Sequence, residues 1–275
     1  MSGAPRDASS TPARPEPTAN RRTASRSSFP VSRDNIIRIA TAVVLIGAWE
    51  IFGRYGNPLL IAVPSDVLAA TYDLAADGEL FSATAESMSS FAVGFAIAAI
   101  LGVAIGVAMG LNRTVEIALD PYINALYSMP LIALVPLLML WVGVGFLSKV
   151  VIVAMFSIFP VIINTLSGVR NVENSYLDIG KAFGAGRWMT FRRIIMPSAV
   201  PYIASGMRLA VSRGIIAMII AEFLTSIAGL GGLIINYTNQ FETAKAFVPV
   251  FLLAIIGNIL TYAVKWLEDR LGSWR

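Results

Sequence analysis

From residue 36 onward the chain alternates long apolar runs with short polar breaks. A helix crossing a bilayer takes about 20 residues. Six runs meet that length or come near it: residues 36–52, 87–111, a stretch within 121–145, 150–169, 202–226 and 247–264. The first is the shortest, and snorkelling of Arg38 extends it at one end. Ahead of the second run, Pro64-Ser65-Asp66 offers Ser65 as a helix cap, and residues 67–80 read as an amphipathic helix. That helix carries Asp73, Asp77 and Glu79 with no Lys or Arg, as an outer-surface segment would. Residues 233–245, with Asn236, Thr238, Asn239 and Gln240, read as a polar loop before the last run.

Several positions inside the runs alter this picture. Gly102, Gly106 and Gly110 recur every four residues in the second run, with Gly94 further back. Such a stripe lets another backbone approach closely. Pro130 and Pro136 fall in the third run, where proline kinks a helix and frees carbonyls. The third run is either a bent helix or a broken one lining a pathway. Residues 146–149 alone separate it from the fourth run, so the two form an antiparallel hairpin. The fourth run holds Pro160 and the polar Asn164, which bonds a neighbouring helix or lines a pore. The fifth contains Arg208, Arg213 and Glu222. A charge within a span is costly and points to function by default. Arg208 lies near the end of its run and can snorkel. The deeper Arg213 either pairs with another helix or faces the path of an anion.

Composition agrees with a membrane protein: of 275 residues 56% are hydrophobic and 14% charged, with mean hydropathy +0.70. Soluble domains carry about 25% charged residues. With no Cys there is neither disulfide nor thiolate chemistry, and with no His the commonest metal ligand and general base is missing. No metal site and no catalytic residue is expected. Residues 1–33, rich in Ser, Thr, Pro and Arg, read as a disordered cytoplasmic tail ahead of a membrane domain at 34–275. The tail lacks the short apolar core of a secretory signal. Basic residues gather on one side. Seven lie in residues 1–38, Arg113 follows the second run, five lie at 170–201, and Lys265, Arg270 and Arg275 close the chain. The other side has only Arg54, Lys149 and Lys245. The positive-inside rule then puts both termini and the 170–201 loop in the cytoplasm, and the charge carries no nucleic-acid signal.

The chain is organised around residues 178–201, DIGKAFGAGRWMTFRRIIMPSAVP, the one long basic stretch between apolar runs. Tyr176, Ile179 and Phe183, then Trp188, Phe191 and Ile195, are apolar at helical spacing. Gly184-Ala185-Gly186 can end one short helix and start another, and Pro197 stops the second. Two short amphipathic helices either lie on the lipid surface or dock a cytoplasmic partner. The stretch resembles the cytoplasmic loop of binding-protein-dependent ABC importer permeases: Glu-Ala-Ala, three residues, Gly, then about a dozen residues to Leu-Pro and a second Pro. The leading positions fall on Asp178, Ile179 and Gly180, the glycine on Gly184 before Ala185, and the close on Met196-Pro197 and Pro201. Ile179 and Met196 depart from the usual Ala and Leu, and Asp178 shortens the carboxylate. Residues 128–145 resemble the third-helix region of the nitrate, sulfonate and taurine branch. Glu222 ahead of Gly229-Leu230-Gly231 keeps that family's acidic residue and turn. Gly229-Leu230-Gly231-Gly232 is no phosphate loop, because the Lys-Ser/Thr of a nucleotide cradle is missing.

The resemblance, densest in the loop and spanning residues 81–267, implies an all-α six-span bundle of the type I ABC importer permease fold. It implies a bacterial inner-membrane location, with lipid around the spans. It further implies a separate cytoplasmic ATPase that carries the ATP and Mg, so this chain binds no cofactor and is not an enzyme. A second permease copy would share the path, and an extracytoplasmic binding protein would deliver a small anion such as a sulfonate, nitrate or taurine. Asp178, Ile179, Gly180, Ala182, Phe183, Gly184, Ala185, Arg187 and Pro197 would couple to the ATPase. Pro130, Pro136, Asn164, Arg213 and Glu222 would line the path. An ion-coupled secondary transporter is the main alternative, although no internal repeat supports one. A non-transport anchor or signalling subunit would have little use for kinked spans.

Overall fold

Pro130 divides the third apolar run into two helices set 87° apart. In the computed structural model, which describes residues 33–57, 60–225 and 228–271, that bent pair accompanies five helices long and apolar enough to cross a membrane. In chain order the helices are α1 (Arg33–Arg54), α2 (Pro64–Ala76), α3 (Glu79–Leu111), α4 (Arg113–Ser128), α5 (Val135–Val142), α6 (Phe146–Arg170), α7 (Asn174–Ala182), α8 (Arg187–Thr190), α9 (Met196–Thr225), α10 (Leu230–Asn239) and α11 (Thr243–Leu271). A 3-10 turn at Leu131–Leu134 leads into α5, and a π turn at Phe191–Ile195 joins α8 to α9. No strand occurs among the described residues. Among the described residues, those from Ile46 onward form one compact unit, separate from those up to Leu45. The tail expected at residues 1–33 lies outside the described residues, save for Arg33 at the start of α1.

The core of the second unit is α3, α6 and α9. Helices α3 and α6 run in parallel and touch along the glycine stripe. A Cβ at Gly94 would lie 2.7 Å from the Val150 carbonyl oxygen, and one at Gly102 would lie 2.8 Å from Val161 Cβ. At Gly106 it would lie 2.6 Å from Thr165 Cβ and 2.8 Å from the Ile162 carbonyl oxygen. Helix α9 runs antiparallel to α6, with Gly206 against Asn164 and Gly214 against Ser157. Close approach therefore substitutes for the hydrophobic drive that lipid cannot supply. Gly106→Val is expected to lower stability by about 1–3 kcal/mol through overpacking, read as a lower melting temperature in detergent.

Local chemistry overrides the sequence expectation at five places. Pro197 does not end a helix: α8, the π turn and α9 form one continuous helix of 39 residues. In the π turn the Met196 N–H reaches back five residues to the Phe191 carbonyl. The wider turn makes room for the ring, and Pro197 falls in the first turn of α9. Pro136 likewise causes no kink, because it sits in the first turn of α5, where a missing N–H costs nothing. The break lies at Met129-Pro130, with Met129 held in the extended conformation a following proline favours. Ser65 does not cap α2: Val63 stands at the N-cap, Pro64 takes the first turn, and the Ser65 hydroxyl donates instead to Glu50 Oε1 (2.9 Å). The helix ends at Ala76, four residues short of expectation. Residues 233–245 are largely helical, in α10 and the start of α11. Residues 146–149 are the first turn of α6, so Gly143, Val144 and Gly145 alone connect it to α5.

Candidate functional site

At one end of the bundle, between α6 and α9, α7 closes on Gly184 in a Schellman arrangement. The Ala185 N–H donates to the Gly180 carbonyl (2.9 Å) and the Gly184 N–H to the Lys181 carbonyl (2.9 Å). This needs φ +70° at Gly184, which a Cβ would strain. Gly180 is buried against Ile194, where a Cβ would lie 2.8 Å from Cδ1, so α7 is seated on the π turn. That seating turns the other residues outward. Ile179, Ala182, Phe183 and Arg187 are exposed, Phe183 to 87%. Asp178 and Lys181 form an exposed pair (3.0 Å). The Trp188 ring meets that of Phe191 at a tilt (centroids 5.6 Å apart) while remaining 70% exposed. Ala185 and Pro197 are half-buried. The result is an apolar ridge of Tyr176, Ile179, Phe183 and Trp188, flanked by the exposed cations Arg187, Arg192 and Arg193.

The base of this loop is tied to the bent pair. Buried Glu116 on α4 accepts from Arg170, the last residue of α6, and also pairs with Arg113 (2.9 Å). Asn112 Oδ1 caps α4 by accepting from the N–H groups of Thr114 (2.9 Å) and Val115 (3.4 Å). The start of the loop at Arg170 is thereby fastened to α4.

The opposite end holds a closed polar cluster. Glu222 on α9 is 0% exposed. Ser87 Oγ on α3 donates to its Oε1 (2.7 Å), and the Gly231 N–H donates to its Oε2 (2.8 Å). The Leu230 N–H donates to Ser87 Oγ (2.8 Å). Lys149, buried in the first turn of α6, lies 3.6 Å from Glu222 Oε1 and 2.9 Å from Glu86 Oε1, and donates to the Ala228 carbonyl (3.3 Å). Four elements meet here: α3, α6, α9 and the turn into α10. Gly229 has φ +91°, and a Cβ on it would lie 2.2 Å from Glu222 Oε1, so only glycine fits. A buried carboxylate survives in low dielectric only with such partners.

Between the two ends, Arg213 is exposed on α9, its guanidinium 5.2 Å from the centre of the Tyr127 ring and within 3.4 Å of its hydroxyl. Tyr127 lies one turn before the break at Pro130. Among the described residues Arg213 has no carboxylate partner, whereas Arg208 pairs with Glu268 on α11 and donates to Ser205 Oγ (2.8 Å). Pro130 and Pro136 are exposed. Asn164 is half-buried between α6 and α9, its amide donating to the Pro160 carbonyl (2.8 Å). Glu222 thus faces a closed cluster and Asn164 a helix contact, while Arg213, Pro130 and Pro136 meet the surroundings. Sequence reading missed Ser87, Glu86, Lys149, Glu116 and Arg170. The one available signal was Lys149, a charge followed by an unbroken apolar run.

The binding-protein-dependent transport system inner membrane component family matches residues 79–273. The formylaminopyrimidine transport permease ThiX of Halalkalibacterium halodurans is 31% identical over 234 residues, covering 85% of this chain and 93% of that protein. The taurine transport system permease TauC of Escherichia coli K12 is 28% identical over 253 residues, covering 90% and 92%. Among solved structures, a chain of the methionine ABC transporter MetNI in inward-facing conformations superposes with TM-score 0.60 at 16% identity, over 70% of this chain and 96% of that one, which shows the shared type I importer fold. Six spans, a seated loop and this match lead to one conclusion: the chain belongs to the binding-protein-dependent transport system inner membrane component family, as the non-enzymatic permease subunit of an ABC importer that works with a separate ATPase and a substrate-binding protein.

Proposed function

We propose that this permease passes a small solute with an anionic group, a sulfonate such as the zwitterion taurine or an inorganic anion such as nitrate, and that Arg213 meets that group on the way. The observation that carries this reading is the exposed guanidinium deep within α9, over the Tyr127 ring and with no carboxylate partner among the described residues. A guanidinium at that depth is costly unless it faces water or an anion, and Arg208, by contrast, is neutralised by Glu268. The taurine relative supports the same chemistry. Pro130 opens the span beside Tyr127, which gives the path its irregular backbone.

The 170–201 loop faces the cytoplasm in this reading, with both termini on the same side, as the basic residues argue. Asp178, Ile179, Ala182, Phe183 and Arg187 form the ATPase contact, Gly180, Gly184 and Ala185 seat and end the helix that presents them, and Pro197 lies in the continuous helix that carries the loop into the following span. ATP and Mg bind the ATPase, and this chain holds no cofactor of its own. A second copy completes the path, because one six-span unit is too small to enclose it. Lipid surrounds the remaining apolar faces. Nucleotide-driven movement of the loop reaches α4 through Arg170 and Glu116 and shifts the spans between two states. A secondary transporter finds no support in the family match.

The test is uptake of labelled taurine, nitrate and a formylaminopyrimidine in cells carrying the permease with its partners. A hydrogen bond to a charged group contributes about 1.5–3 kcal/mol, so Arg213→Ala should lower anion uptake roughly 10- to 100-fold. Arg213→Lys should retain part of it. Undiminished anion uptake in Arg213→Ala, or uptake of the pyrimidine alone, overturns the reading.

A further inference from the structure

Helix α2 carries Asp66 and Asp73 two turns apart, with Asp77 at its C-cap, and all three are exposed. The cations at this end of the bundle pair elsewhere: Arg54 with Glu50, Lys149 with Glu86 and Glu222, and Lys245 with Glu242. Asp66 and Asp73 share a cleft of about 310 Å3 with Phe241 and Glu242 of the turn between α10 and α11. Tyr237 registers the negative field. Its hydroxyl is pushed well above the usual phenol range, first by burial, then by its bond to Glu79 and by the charges of Glu79, Glu242 and Asp77.

Phe241 stands where α10 closes in the same kind of turn as α7. Its N–H donates to the Thr238 carbonyl (3.1 Å) and the Glu242 N–H to the Tyr237 carbonyl (3.0 Å). The position has φ +58°, which glycine takes without strain, and Phe241 is the one non-glycine residue with positive φ among those described. Its ring is nevertheless 62% exposed, so the fold gains little from it. A strained residue kept for an exposed ring points to a use outside the fold. The sign of the surroundings narrows what meets it. Carboxylates repel anionic lipid heads and free anions alike, and no three acidic groups among the described residues converge on a metal ion. A basic protein surface fits. We infer that the substrate-binding protein docks here, with Lys or Arg side chains against Asp66, Asp73 and Asp77 and an apolar pocket around Phe241. This rests on the reading that puts the 170–201 loop in the cytoplasm and hence α2 outside. A solute with an anionic group, repelled by this surface when free, then arrives held by the docked protein.

The chain has no Cys, so Asp73→Cys gives it a single thiol. In right-side-out membrane vesicles a membrane-impermeant maleimide should label that thiol without permeabilisation. Labelling only after permeabilisation would put α2 inside and overturn this site together with the cytoplasmic loop. Docking itself is measured on the detergent-purified permease–ATPase complex. The probe is the solute-loaded binding protein that supports uptake by the reconstituted importer. Changing Asp66, Asp73 and Asp77 together to Asn should slow association about 10-fold at roughly 50 mM salt and little at roughly 500 mM. Phe241→Gly relieves the backbone, so the chain should stay folded, while dissociation should quicken about 10-fold or more. Association indifferent to salt and to the three Asn overturns the site, and so does unchanged dissociation in Phe241→Gly. Binding rather than uptake is read, so the result is decided apart from the Arg213 path.

Discussion

Glu222→Ala is expected to destabilise the folded permease by about 2–5 kcal/mol, because it leaves two buried donors, the Ser87 hydroxyl and the Gly231 N–H, without an acceptor at about 1–3 kcal/mol each. The change removes the acceptor of Ser87 Oγ and of the Gly231 N–H and leaves Lys149 with Glu86 and the Ala228 carbonyl. The Ser87 hydroxyl and the Gly231 N–H are buried, so the loss of their acceptor is not offset by hydration. The loss acts on four elements at once, so unfolding should stay cooperative and shift as a whole. Thermal unfolding in detergent, followed by size exclusion, checks this. Glu222→Gln keeps the shape and one carbonyl acceptor, and should lose less than Glu222→Ala. Lys149→Met in the Glu222→Gln background should recover stability, since replacing both charges by matched apolar or neutral groups is often neutral. If Glu222→Ala melts like the parent chain, the cluster does not hold the bundle end together.

Phe183→Ala should have the second large effect, on partner binding rather than on folding. Phe183 is 87% exposed, so truncation removes little from the fold. A ring so exposed at the tip of a seated helix has the features of an anchor, and aromatic anchors contribute 2 kcal/mol or more to an interface. At about 2 kcal/mol the ATPase would dissociate roughly 30-fold more readily. The readout is the ATPase retained by an affinity-tagged permease, with the amount of permease in the membrane as the control. Gly184→Val should act through a different cause: a β-branched side chain at φ +70° strains the Schellman turn and swings α7 off Ile194. Both variants should abolish nucleotide-driven uptake while the chain stays in the membrane. Full retention of the ATPase by Phe183→Ala would mean that the ridge is not the contact.

Much of the site was legible because its signals are local. The helix–turn–helix of the loop follows from apolar spacing and from Gly184, whose preference for positive φ is a property of one residue. The glycine stripe of α3 announced a close neighbour, and the structure supplies α6. The misreadings have a common origin in backbone alternatives a short window cannot weigh. Pro197 looks like a stop until a π turn shifts the donor pattern by one residue, and Pro136 looks like a kink until the break at Met129-Pro130 makes it a helix start. Ser65 looks like a cap, but Glu50, fifteen residues away, claims its hydroxyl.

Hydropathy along the chain suffices for the spans and the basic loop, because transfer to lipid acts residue by residue, whereas the class of machine is legible only in the motif of residues 178–201 and its resemblance to a family loop. Hydropathy and charge also single out Arg213 and Glu222 as charges in costly surroundings. They do not say that Glu222 is closed off while Arg213 stays open. That distinction arises when Ser87, 135 residues distant in sequence, and Lys149 are packed against Glu222, while Arg213 meets the Tyr127 ring. Burial and pairing depend on which helices touch, and the close glycine contacts of α3, α6 and α9 set that.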